Sequence, residues 1–87
     1  MFIFLTSGKA LEFHGAHITE NVKNGTPYYH VNVVEYGHNR TINGEIIYST
    51  PNRETAKQLI KDICTAAGEG RPVFPIAEWE SEKAKEV

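Results

Sequence analysis

Eighty-seven residues, 40% hydrophobic and 23% charged, make one globular domain with no room for a second core. The lone Cys64 excludes an intrachain disulfide framework and leaves too few thiols for a zinc ribbon. Residues 78–87 carry four acids and two bases while residues 1–77 carry seven of each sign, so the net charge of −2 describes a balanced body and an acidic end. The expected organisation is a single domain over 1–77 followed by an acidic tail over 78–87.

The opening MFIFL is apolar on both sides of an extended chain, with Phe2 and Phe4 on one and Met1, Ile3 and Leu5 on the other. Residues 1–6 therefore predict a strand covered on both faces or seated in an interface. The run is too short for a secretory core and lacks a basic start, and no segment approaches membrane-spanning length. The expectation is a cytoplasmic protein.

Ser7-Gly8-Lys9 marks a turn. Residues 10–22 predict a second strand in which Leu11 and Phe13 share one parity and Ala16 and Ile18 the other; a β-bulge at Gly15 would restore a single apolar face. Lys23-Asn24-Gly25-Thr26 is a hairpin turn with Asn-Gly at its centre. Residues 27–36 give the clearest strand, with Tyr29, Val31 and Val33 on one face and Tyr28, His30, Asn32, Val34 and Tyr36 on the other. Gly37–Arg40 closes a second hairpin, and 42–49 predict a fourth strand with Ile46 and Tyr48 on one face and Ile47 on the other.

A helix follows over 51–67. Thr50 is placed as its N-cap, Pro51 at its first position and Glu54 in its first turn. Ala56, Leu59, Ile60, Ile63 and Ala67 form its apolar stripe, and Gly68 and Gly70 end it. RPVFPI is then extended by its prolines. The expected fold is α+β: one four-stranded antiparallel sheet with one helix across one face, in the order β-β-β-β-α, and a C-terminal extension. Its expected core is Phe13, Ile18, Tyr29, Val31, Val33, Ile46, Ala56, Leu59, Ile60 and Ile63.

From Thr26 to Ala67, TPYYHVNVVEYG and NGEIIYSTPNRETAKQLI resemble the strand-strand-strand-helix half of double-stranded RNA-binding domains. The same run is similar to the three-stranded arm-binding domains of phage integrases. The resemblance implies a three-stranded sheet backed by a helix, and nucleic acid as a ligand.

Four features carry candidate chemistry. Arg53, Lys57 and Lys61 recur every four residues on one helix face, fit to grip phosphates or simply to remain solvated between Glu54 and Asp62. The open sheet face offers Tyr28, His30, Asn32 and Tyr36 to an unpaired base or a protein partner. His14, His17, His30 and His38 match no metal-ligand spacing, and Cys64 beside the apolar stripe reads as a small buried hydrophobe rather than a nucleophile. Val73, Phe74, Ile76 and Trp79 are too apolar for a free tail; they either fold back on the sheet or form an interface.

No paired carboxylates, phosphate loop or nucleophile triad stands out, so the expectation is a non-enzyme without cofactor or metal. The leading reading is a small protein-binding module, in the style of bacteriophage accessory and inhibitor proteins. It would bind its partner through Tyr28, His30, Tyr36, Phe74 and Trp79, and form a homodimer through the N-terminal strand or the segment from Pro72 to Trp79. The alternative is nucleic-acid binding by the open sheet face with Arg53, Lys57 and Lys61. A charge-balanced body ranks it second, because phosphate neutralisation demands a basic excess.

Overall fold

A computed structural model describes the backbone of residues 1–36 and 41–85 and the side chains of 1–34 and 44–83. The elements run β1 (Phe2–Phe4), β2 (Ala10–Glu12), β3 (Ala16–Lys23), β4 (Thr26–Tyr36), β5 (Thr41–Thr50), α1 (Arg53–Gly68), β6 (Val73–Pro75) and α2 (Ile76–Lys85). The class is α+β as expected. The single four-stranded sheet with one helix is not what forms: among the described residues there are two three-stranded sheets, ordered β2-β1-β6 and β3-β4-β5, and two helices.

Gly15 is the main reason. It does not bulge one strand over 10–22; at φ 154° it turns the chain, so that β2 and β3 belong to different sheets. The Gly15 carbonyl accepts from the Val34 amide at 2.8 Å, which fastens this corner to β4.

The small sheet is centred on β1. Antiparallel pairing sets Ile3 opposite Leu11, and parallel pairing sets Ile3 opposite Phe74. All three are buried, forming one apolar row across the sheet. The two prolines of RPVFPI do not keep it out of a ladder, because a proline keeps its carbonyl: Phe2 N–H donates to the Pro72 oxygen at 2.9 Å. β6 pairs on one side only, where its missing donors cost little.

The antiparallel meander β3-β4-β5 is backed by α1. Asn52, not Thr50, is the N-cap, with Oδ1 accepting from Glu54 N–H at 2.9 Å and Thr55 N–H at 3.4 Å. Thr50 acts one step earlier, its hydroxyl accepting from Asn52 N–H at 3.1 Å. At the far end Gly70 takes φ 76°, Arg71 N–H reaches the Ala66 carbonyl and Gly70 N–H the Ala67 carbonyl. This is a Schellman closure, which requires the left-handed residue that glycine supplies.

Ala56, Leu59, Ile63 and Ala66 are the buried face of α1 and share one core with Val31, Val33, Ile3, Leu11, Phe74, Ile76 and Trp79. The largest fully buried side chains among the described residues (Ile3, Val31, Val33, Leu59, Ile63 and Ile76) are each worth about 1.5–3 kcal/mol over exposure. Phe13, Ile18, Tyr29 and Ile60 pack against this core at half burial. Ile46 does not join it and is 50% exposed. The ladder sets Val31 opposite Tyr48 but Asn32 opposite Ile46, so a bulge at Ile47 reverses the parity and sends Ile46 outward. Cys64, expected inside, is exposed, because one residue past Ile63 the helix has turned about 100° off its buried stripe.

Residues 76–85 are the helix α2, docked through Trp79. The indole N–H donates to Asp62 Oδ2 at 2.7 Å, and its ring meets Tyr48 edge-on at 5.5 Å and 85°. Gln58 donates to the other Asp62 oxygen at 2.8 Å, and Lys83 lies 3.7 Å from Oδ2. Asp62 thus ties α1 to α2. No helix among the described residues is long and apolar enough to cross a membrane.

Candidate functional site on the open sheet face

Strand alternation builds the site. Val31 and Val33 point into the core, so Tyr28, His30 and Asn32 point away from α1. The ladder extends this outer face to His17 (opposite Asn32), Thr19 (opposite His30) and Asn21 (opposite Tyr28) on β3, and to Ser49 (opposite His30) on β5. Asn24 at φ 53° and Gly25 at φ 80° make the two-residue turn that Asn-Gly favours, pairing Lys23 with Thr26 at the tip.

Three hydrogen bonds stiffen the face. His30 Nδ1 and Ser49 Oγ share one of 2.6 Å, which orients the imidazole across β4 and β5. Asn32 donates to Thr19 Oγ1 at 3.0 Å and to the His30 carbonyl at 3.2 Å, bridging β4 to β3. At the hairpin end the face hollows into an open concavity of about 520 Å³ lined by Asn21, Lys23, Asn24, Thr26, Tyr28 and His30.

The remaining candidates lie elsewhere. Phe74 and Trp79 are 7% and 5% exposed and belong to the core, so the segment takes the fold-back alternative and these two side chains are not offered to a partner. The side chain of Tyr36 and the loop holding His38 lie outside the described residues. Arg53, Lys57 and Lys61 are exposed on the side of α1 opposite its buried stripe, across the helix layer from the open sheet face. One rigid ligand cannot touch both at once. Lys57 also lies 3.7 Å from Glu54 on its own helix. His14 sits 3.6 Å from Glu12 before the Gly15 corner, while His17 lies beyond it, and no cluster of three metal-ligating side chains occurs among the described residues.

No protein-family model, curated protein or solved structure matches the chain. The geometry alone carries the functional argument.

Sequence reasoning missed Asn21, Lys23, Asn24 and Thr26 as lining residues. Their signal was the Asn-Gly turn, whose length fixes the register and so puts Lys23 and Thr26 on the face of Tyr28 and His30. A second exposed surface lies on the small sheet, where Phe2, Phe4 and Val73, each about half exposed, share the face away from Ile3.

Burial pushes the Tyr48 phenol above its ordinary value of 10.0, and the nearby Glu80 carboxylate adds to the effect. Tyr48 lies on the core side against Trp79, so this marks the α2 seat rather than the open face.

Proposed function

We propose that the chain is a small non-enzymatic binding module, cytoplasmic in setting, that takes a protein partner on the outer face of its meander. The observation that supports it is the hydrogen-bonded face ending in the concavity around Tyr28 and His30. Tyrosine is a frequent energetic anchor of protein interfaces, since it brings a large rigid ring and a hydroxyl at little entropic cost. Self-association through Phe2, Phe4 and Val73 belongs to the same reading, because a cluster of exposed apolar side chains on one sheet face favours a partner over water.

Nucleic acid is the second reading. It is favoured by the absence of a carboxylate among the described residues lining the concavity and by the presence of Lys23. It is weakened because Arg53, Lys57 and Lys61 lie on the other side of the domain and cannot add to the same contact.

Affinity capture from the native host, with and without nuclease, separates the two. A nuclease-resistant partner retained by the wild-type bait and lost by Tyr28→Ala is expected. Loss of all bound material on nuclease treatment would reverse the ranking.

A further inference from the structure

The concavity has a one-sided chemistry. Lys23 supplies an ammonium with three N–H donors, Asn21 and Asn24 supply amide donors, and Thr26 and Tyr28 supply hydroxyls. His30, whose Nδ1 is engaged by Ser49, turns its ring into the same space. The nearest acid in sequence, Glu20, stands opposite Tyr29 and therefore on the other side of the sheet. A site with several donors, one cation and no carboxylate among its described lining residues is matched by an anionic acceptor.

The number of cations then selects the acceptor. Binding to a nucleic-acid backbone draws its strength from several neutralised phosphates, each releasing counterions. Among the described lining residues only Lys23 is a cation, and the basic residues of α1 lie beyond reach on the opposite layer. One carboxylate flanked by hydrogen-bonding groups fits this count, and a protein segment bearing Asp or Glu provides it.

We infer that the concavity at the β3–β4 hairpin seats a carboxylate side chain from an acidic segment of the partner, with Lys23 as its counter-charge and Asn21, Thr26, Tyr28 and His30 around it. This rests on the reading that the open face is the partner surface. Lys23 stands at the tip of the hairpin, where an incoming chain can approach without displacing any strand of the sheet.

The test is selection of random twelve-residue peptides displayed on phage against the full-length chain, followed by fluorescence polarisation and amide NMR on the winners. The expected winners carry Asp or Glu. Changing that acid to its amide, or Lys23→Ala, weakens binding by about tenfold, while Lys23→Arg retains it. A Lys23→Glu bait selects basic peptides instead. Peptides that shift the amides of residues 19–32 yet tolerate the acid-to-amide change overturn the carboxylate assignment and leave the open face standing as the partner surface. Peptides that shift only β1 or α1 overturn the open-face reading, and this inference with it. Tighter binding of a single-stranded or duplex oligonucleotide, lost in Lys23→Ala, assigns the site to nucleic acid and overturns the inference, as does failure to enrich any peptide above background.

Discussion

Replacing Trp79 with alanine should detach α2 and expose the core beneath it. The indole is almost wholly buried, its N–H donates to Asp62, and its ring stands edge-on to Tyr48. A buried tryptophan cut to alanine costs about 3–5 kcal/mol. Within that, a hydrogen bond to a charged acceptor accounts for about 1.5–3 kcal/mol and an aromatic pair for about 0.5–1.5 kcal/mol. Asp62 keeps Gln58 of its own helix as a donor, so its carboxylate is not stranded and the loss stays in this range. In a domain of this size each kcal/mol moves Tm by about 4–8 °C, which predicts a fall of more than about 12 °C. Far-UV circular dichroism follows both urea unfolding, for the free-energy loss, and thermal unfolding, for the fall in Tm, since the variant has no tryptophan left to report by fluorescence. Trp79→Phe, which keeps an aromatic ring but not the donor, should lose the hydrogen-bond share, about 1.5–3 kcal/mol. A Trp79→Ala chain within about 1 kcal/mol of wild type would mean that α2 is not part of the folded core.

Gly44→Ala should destabilise by about 1–3 kcal/mol or more in the same urea assay, because the added Cβ would collide with the backbone carbonyl of Val33. Asn52→Ala should cost about 1 kcal/mol, with Asn52→Asp close to neutral, whereas Thr50→Ala should leave the N-terminus of α1 capped. The raised Tyr48 value has a defined sign: the folded state holds the phenolic proton more firmly than the unfolded chain. Its contribution is therefore intact below pH 10 and declines as the pH climbs above 10 towards the folded value. Alkaline unfolding of wild type against Tyr48→Phe should show the wild type losing stability faster above pH 10, and parallel curves would refute this.

Local patterns were the legible part of this fold. The Asn-Gly turn, the alternation of β4 and the stripe of Leu59 and Ile63 follow from rules that act over a few residues, and the structure follows them. The division of the strands between two sheets depends on contacts distant in sequence. Ile3 needs Phe74 seventy-one residues away, and neither residue carries a mark of its partner. Gly15 is compatible with either a bulge or a corner, and the corner is visible only once β2 is placed beside β1 and β3 beside β4. Ile46 failed for a similar reason, since an extra residue at Ile47 sets Ile46 opposite Asn32 and off the face of Tyr48. At the candidate site, Tyr28 and His30 were readable from alternation because β4 is regular. Lys23 and Asn21 become visible only once the hairpin register is drawn. Trp79 looked like an anchor, correctly in its chemistry, but it anchors its own chain.

The placement of the partner on the meander is open to a single footprint. The captured partner is bound to the full chain and backbone amide exchange is compared with that of the free chain. Slowed exchange over residues 17–32 and 45–50, with α1 and β1 unchanged, is the predicted result. Slowing confined to residues 53–61, or to Phe2–Phe4 and Val73–Pro75, with residues 17–32 unaffected, would contradict it.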